Sequence, residues 1–99
     1  MILVRDIFHL KFGKAKDAKI LFKEGIELTK KYGFEKGRSF TDLVTNHSYT
    51  LIKESEWESL SAWENSMKNA LGAEERRSWY EKFIPLVESA SREILNILD

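Results

Sequence analysis

The sequence of 99 residues predicts an α+β fold in which an antiparallel four-stranded sheet carries its helices on one face. Three observations support this fold class. The first segment alternates apolar and polar residues as a strand does, later segments repeat apolar residues at helical spacing, and two segments rich in β-forming residues follow each other closely in mid-chain. The length and the lack of linkers or repeats predict a single domain over residues 1–99.

The first predicted strand covers residues 2–12 and ends before Gly13. One face is formed by alternating apolar residues: Ile2, Val4, Phe8, Leu10 and Phe12. Asp6 lies in the middle of this face, where a carboxylate is costly unless it is paired, hydrated or used. Asp6 is therefore the best indication of a pocket, as a proton acceptor or an anchor for a ligand. The alternative is a structural carboxylate paired with an arginine or with helix-cap amides.

The next segment, residues 15–32, has the spacing of an amphipathic helix and ends at Gly33. Its apolar side consists of Ala18, Leu21, Phe22, Gly25, Leu28, Thr29 and Tyr32. Because Gly25 lowers helix propensity, we expect it to allow either close packing of the helix on the sheet or space for a ligand.

Three more strands are predicted. The second and third cover residues 38–45 and 49–54 and are joined by a tight turn at Asn46 and His47. The C-terminal segment fits a strand and also a helix, which its local propensity favours. We predict a strand over residues 88–97, because the first strand would otherwise lack its usual neighbour in the sheet.

Two helices are predicted between the third and fourth strands. Ser55 and Glu58 have the spacing of a capping box, which predicts a helix from there to about residue 71, with Trp57 at its start. The inner face of this helix is expected to hold Leu60, Trp63, Met67, Ala70 and Leu71. A further helix is predicted over residues 74–83. Its first residues are expected to be solvated: Glu74, Glu75, Arg76 and Arg77.

This element order is that of the split βαβ, or ferredoxin-like, arrangement. Right-handed crossovers place the helices on one face of the sheet, so the other face is left open. That face carries Leu3 and Ile7 and is too apolar to remain in water comfortably. We therefore predict a homodimer that buries one open sheet face against the other.

Composition excludes several function classes. The 16 basic and 16 acidic residues balance, which argues against nucleic acid and anionic membranes as partners. There is no cysteine, so thiol catalysis and thiolate metal sites are excluded. We find no metal-ligand spacing, phosphate loop or serine nucleophile motif, and we expect no metal and no cofactor. No signal peptide or membrane span is predicted, so a cytoplasmic location is expected.

Aromatic residues are the candidate walls of a ligand site. They are Phe8, Phe22, Trp57, Trp63, Trp79 and Phe83, and such rings bind flat ligands by stacking. The alternative is that these residues are simply core. His9 is predicted on the open sheet face, as an acid–base group, a metal ligand or a polar dimer contact, and His47 is expected to be exposed.

The chain resembles the dimeric α+β barrel superfamily, which includes the antibiotic-biosynthesis monooxygenase-like and NIPSNAP-like proteins. The resemblance covers nearly the whole chain and depends on its opening, on the turn into the first helix and on the last strand: Met1 to Asp6, Phe12-Gly13-Lys14 and Arg92-Glu93-Ile94-Leu95. It implies a dimer whose sheets close into a barrel, with a hydrophobic ligand between the sheet and the helices.

The resemblance also implies candidate activities. Some members of the superfamily oxygenate polyketides or quinol-like compounds without a metal or cofactor, and others open haem. The haem-degrading branch has Asn where this chain has Asp6, seven residues before the turn glycine, and it needs a histidine on a late helix. Here the histidines are His9 and His47, which are predicted elsewhere, so haem degradation is not expected.

Two function hypotheses follow. In the first, the protein binds an apolar aromatic molecule or is a cofactor-independent oxygenase. Asp6 would then accept a proton from the substrate, the carbanion would react with dioxygen, and Trp63 and Trp79 would hold the ring. Asp6→Asn is expected to abolish turnover or binding.

In the second hypothesis, the protein is a non-enzymatic dimerisation or stress-response module without a ligand site. A void beside Asp6 favours the first hypothesis, and a filled interior favours the second.

Overall fold

The structure is a computed structural model that describes residues 1–33 and 37–98. The regular elements are strands β1 (Ile2–Leu10), β2 (Gly37–Thr41), β3 (Thr50–Trp57) and β4 (Val87–Asn96), and helices α1 (Ala15–Thr29), α2 (Leu60–Gly72) and α3 (Glu74–Phe83). Short 3-10 helices follow α1 and α3, over Lys30–Tyr32 and Ile84–Leu86.

The four strands form one antiparallel sheet in the order β2-β3-β1-β4. This arrangement confirms the predicted α+β, ferredoxin-like fold. The C-terminal segment is the strand that the prediction placed over residues 88–97, shifted by one residue, and it pairs with β1 from Ile2↔Asn96 to Leu10↔Val87. Pairing with β1 therefore overrides the helix propensity of this segment.

The helices cover one face of the sheet and form two buried clusters with it. The first cluster consists of Leu10, Ala18, Phe22, Leu51 and Phe83. The second consists of Val4, Trp57 and Ala70. The even-numbered residues of β1 contribute to both clusters, as the alternation predicts. Phe12 does not, because β1 ends at Leu10 and the chain turns, with the Lys14 amide donating to the Lys11 carbonyl at 3.0 Å. The prediction for Phe12 was wrong, and its side chain is 85% exposed.

The predicted second strand is present but ends four residues earlier than predicted, and the predicted tight turn was wrong. Strand β2 ends at Thr41, and the carboxylate of Asp42 accepts hydrogen bonds from the amides of Tyr49 at 3.2 Å and Thr50 at 2.8 Å. These bonds close residues 42–49 into a wide loop instead of a two-residue turn. Leu43 and Val44 lie on this loop and are almost fully exposed.

The predicted capping box at Ser55 and Glu58 was wrong as well. Strand β3 continues to Trp57, which pairs with Ile2 and buries its indole against the second cluster. A helix cap contributes about 1 kcal/mol, less than the burial of a large aromatic side chain. Helix α2 instead begins after Ser59, whose hydroxyl accepts from the Ala62 amide at 3.2 Å.

The later start of α2 changes the face that the helix presents to the sheet. Ala70 is buried, and Trp63 and Met67 pack against the second cluster. Two residues predicted on the inner face are about half exposed instead: Leu60 and Leu71.

The open face of the sheet carries a row of alternating charges across all four strands, here called the charged row: Arg38, Glu54, Arg5 and Glu93. Arg5 donates to Glu54 at 3.0 Å and to Glu93 at 3.2 Å, and Arg38 donates to Glu54 at 3.4 Å. The bond to Glu54 raises the pKa of Arg5 above its usual value. The face is therefore mixed, with an apolar row beside the charges: Phe40, Ile52 and Ile7.

Within residues 1–33 and 37–98, no helix is both long enough and apolar enough to cross a bilayer.

Candidate functional site

A cavity of about 290 Å³ lies between the sheet and the helices. Its lining includes Phe22 and Phe83 of the first buried cluster and Ala70 of the second, so the cavity separates the two clusters. Asp6 of β1 lines it as well. The void beside Asp6, on which the sequence hypotheses depend, is present.

Four rings form what we call the aromatic end of the cavity: Phe8, Phe22, Trp79 and Phe83. Trp79 stacks on Phe83 with ring centroids 5.0 Å apart, and Phe8 contacts Phe83 edge to face at 5.3 Å. Phe22 lies 6.3 Å from Phe8. Such mutual packing fixes the rings of this end.

Trp79 is held by helix α1 as well as by its neighbours. Its indole nitrogen donates to the Leu21 carbonyl at 2.5 Å, and its six-membered ring lies directly over Gly25, where an added Cβ would overlap it. The predicted close packing at Gly25 is therefore between α1 and a side chain of α3, and not between α1 and the sheet. Gly25 itself lines the cavity.

Four charged residues form the opposite part of the lining, here called the charged end: Asp6, Lys53, Arg76 and Arg92. Asp6 faces Lys53 of β3 and Arg92 of β4 in the strand register. The Arg92 Nε atom donates to Asp6 Oδ1 at 2.5 Å. Asp6 is thus paired with an arginine and also lines the cavity.

Burial weakens the charged forms of two of these cations. It lowers the pKa of Lys53 to about 8; nearby Asp6 opposes this shift, and Arg76 and Arg92 add to it. Burial also lowers the pKa of Arg76, although a guanidinium remains protonated in proteins. The charged end is therefore a region of partly desolvated positive charge.

Two of the predicted wall residues lie elsewhere. Trp57 belongs to the second buried cluster and donates to the Ser55 hydroxyl at 2.9 Å. Trp63 packs at the edge of that cluster, and the guanidinium of Arg92 lies over its ring, 5.0 Å from the centroid. Trp63 therefore contacts the charged end through Arg92.

The two histidines lie together on the other side of the sheet. The rings of His9 and His47 are 3.9 Å apart, and His9 Nδ1 is 3.4 Å from the Thr50 hydroxyl. Among the residues that the structure describes, no group of three or more His, Asp or Glu side chains is placed to hold a metal ion.

Sequence reasoning missed the three cations of the charged end. Lys53 alternates with Leu51, Ser55 and Trp57 on the inward face of β3. The strand was predicted to end at residue 54, so Lys53 stood near its end and did not interrupt an apolar face as Asp6 does. Arg76 was predicted to be solvated; it is partly buried and lines the cavity.

The sequence matches no protein-family model and no curated protein. Solved structures do match. A NIPSNAP family protein from Agrobacterium tumefaciens superposes with a TM-score of 0.91 at 18% identity, covering 99% of this chain and 93% of that one. The chain has the fold of the NIPSNAP family proteins. The resemblance drawn from the sequence is confirmed at the level of the fold.

The NIPSNAP fold extends to proteins of a second group. An antibiotic biosynthesis monooxygenase matches with a TM-score of 0.76 at 13% identity, over the full length of both chains. SnoaB, a cofactor-independent oxygenase from Streptomyces nogalater, matches with a TM-score of 0.74 at 9% identity, covering 99% of this chain and 93% of that one. At these identities the match shows the shared fold alone.

Proposed function

We propose that this protein binds a small aromatic molecule in the cavity between the sheet and the helices. The observation that carries the proposal is the combination of a void, an aromatic end and a charged end in one lining. Ligand sites combine apolar walls with a few convergent polar groups in the same way. The volume of about 290 Å³ is near the lower limit of such sites, ~300 Å³, which suits one or two fused rings.

The same observation weighs against a module without a ligand site. In that alternative the aromatic residues are core and fill the interior beside Asp6. Trp57 does behave in this way, whereas Trp79 and Phe83 border open space. The rings of the aromatic end are therefore available to a ligand on the side that faces the cavity.

Tryptophan fluorescence tests the proposal, because Trp79 lines the cavity and Trp57 does not share its cluster. We expect 1,4-naphthoquinone, a neutral two-ring quencher, to quench the wild-type emission in a saturable manner. Trp79→Phe should remove the saturable component, and Trp57→Phe should retain it. Both variants keep two tryptophans, so they are matched controls for each other.

Two outcomes would contradict ligand binding in this cavity. One is quenching that stays linear with quencher concentration in all three proteins. The other is a saturable component that survives Trp79→Phe and disappears in Trp57→Phe.

A cofactor-independent oxygenase is the second candidate function. It is favoured by the position of Asp6, which lies two residues before Phe8 of the aromatic end on the same face of β1. In this version Asp6 accepts a proton from an enolisable aromatic substrate, and the surrounding cations stabilise the enolate that reacts with dioxygen. Oxygen consumption with an enolisable ketone such as 2-tetralone should be lost in Asp6→Asn, while binding of a ligand is retained.

The proposal includes a homodimer formed through the open sheet face, in the cytoplasmic location expected from the sequence. The charged row supports a second copy as the partner. Because its charges alternate, each charged residue can face a residue of opposite charge in the second copy across a two-fold axis. The apolar row of Phe40, Ile52 and Ile7 supplies surface that such pairing would bury.

A further inference from the structure

The charged end of the cavity has an unequal charge balance. Among the described residues that line the cavity, Lys53, Arg76 and Arg92 carry positive charge and Asp6 carries negative charge. The Asp6 carboxylate already accepts a bond from Arg92 at 2.5 Å. Among these four described side chains, the positive charges outnumber the negative charge by three to one.

The three cations converge from separate parts of the fold. Lys53 comes from β3, Arg76 from α3 and Arg92 from β4. Lys53 and Arg76 are partly buried, and the guanidinium of Arg92 rests on the Trp63 ring. Bringing like charges together in a partly desolvated site is costly unless an anion joins them. The arrangement of these cations therefore favours the binding of a negatively charged group.

The two ends of the cavity are spaced for one molecule. Asp6 and Phe8 are two residues apart on the same strand face, which corresponds to roughly 7 Å. The cations that face Asp6 in the strand register, Lys53 and Arg92, and the ring of Phe8 are therefore about one ring apart. A planar ring that packs on the aromatic end would place a ring substituent at the cations.

We propose that the ligand of this cavity is an aromatic acid of one or two fused rings. Its carboxylate binds the cations of the charged end, and its rings pack on the aromatic end. Guanidinium groups bind planar carboxylates with charge-assisted hydrogen bonds. This inference rests on the proposed function and names the chemical class of the ligand.

A pair of probes that differ in charge tests the inference. We expect isothermal titration calorimetry near pH 7 to show that 2-naphthoate binds at least about tenfold more tightly than the neutral 2-naphthamide. Lys53→Met and Arg76→Met should each weaken the binding of 2-naphthoate by about tenfold and leave that of 2-naphthamide unchanged. Arg77→Met, on the exposed neighbour of Arg76 in α3, should change neither.

The outcomes separate this inference from the proposed function. Equal affinity for the two probes in the wild-type protein would overturn the inference and leave aromatic binding intact. Absence of binding by both probes, together with linear quenching by the naphthoquinone, would overturn the proposed function itself. A preference for the acid that persists in both Lys53→Met and Arg76→Met would also overturn the inference, since the anion would then bind elsewhere.

Discussion

Asp6 and Lys53 face each other across β1 and β3 on the side of the sheet that the helices cover. Asp6 interrupts a run of inward apolar residues, whereas Lys53 lies between Leu51 and Ser55, and each lines the cavity. The two residues differ in their surroundings, because Asp6 contacts a guanidinium while Lys53 lies near two of them. Burial and these guanidiniums lower the pKa of Lys53 to about 8, against the opposing effect of Asp6.

The lowered pKa of Lys53 predicts a pH dependence of stability. In the unfolded chain this lysine releases its proton near 10.5 and in the folded chain near 8. Between these values the unfolded chain binds more protons, so the free energy of unfolding contributed by Lys53 rises with pH. Below about pH 8 the lysine is charged in the folded chain, and the full cost of burying that charge lowers the stability.

Urea unfolding near pH 7 and near pH 10 measures this contribution. The measured quantity is the free energy of unfolding of Lys53→Met minus that of the wild type. We expect this difference to be larger near pH 7 than near pH 10, by up to about 3 kcal/mol. Lys68→Met, on the exposed face of α2, should show no such change. A difference for Lys53→Met that is the same at both pH values would contradict a depressed pKa.

At the scale of elements, the cavity depends on how α1 and α3 approach each other. Trp79 of α3 lies over Gly25 of α1 and donates to the Leu21 carbonyl, and it stacks on Phe83 from the other side. The indole is held between two helices and a ring, so it cannot move aside without losing one of these contacts. Gly25 therefore fixes the distance between α1 and α3, the two helices that cover the aromatic end.

Gly25→Ala is expected to destabilise the protein by about 1–3 kcal/mol, because the added methyl group overpacks this contact. This cost opposes the gain of up to about 1 kcal/mol that alanine brings to a helix. Gly72→Ala is the control, because Gly72 lies in α2 with open space around its Cα, and we expect it to be neutral or stabilising. Thermal or urea unfolding would contradict the proposed role of Gly25 if both variants gained stability.

At the scale of the whole molecule, the open sheet face is the surface through which the proposed homodimer would form. Glu54 is only 7% exposed although it lies on this face, because Arg5 and Arg38 pair with it from the neighbouring strands. The charged row is thus largely neutralised within one chain, which lowers the cost of burying it against a second copy. Phe40, at the edge of the face, stays exposed.

Phe40→Glu is expected to dissociate the proposed homodimer, because it places a charge in the apolar row that the interface would bury. Sedimentation equilibrium should show a dimer for the wild type and a monomer for the variant. Ile20→Glu introduces the same charge on an exposed site of α1 and should leave the dimer intact. A monomeric wild-type protein, or dissociation by both variants, would rule out this interface.

The sequence by itself determined the order of the elements, the fold class and the anomaly at Asp6. Most of these features follow from local periodicity: alternation in β1, helical spacing in α1 and the matching extent of α3, predicted and found over residues 74–83. The last strand is the exception, because its local pattern also fits a helix and it was predicted from the need of β1 for a neighbour. A charge on a buried strand face is visible within a few residues of sequence, because neighbouring positions define the face.

Only the tertiary structure decided the lengths of the central strands and the composition of the site. Trp57 belongs to β3 because pairing with Ile2 and burial of its indole outweigh a local helix cap. The charged end joins Asp6, Lys53, Arg76 and Arg92, which are distant in the chain and meet only through strand register and helix packing. Their proximity is a property of the whole sheet, and no local pattern encodes it.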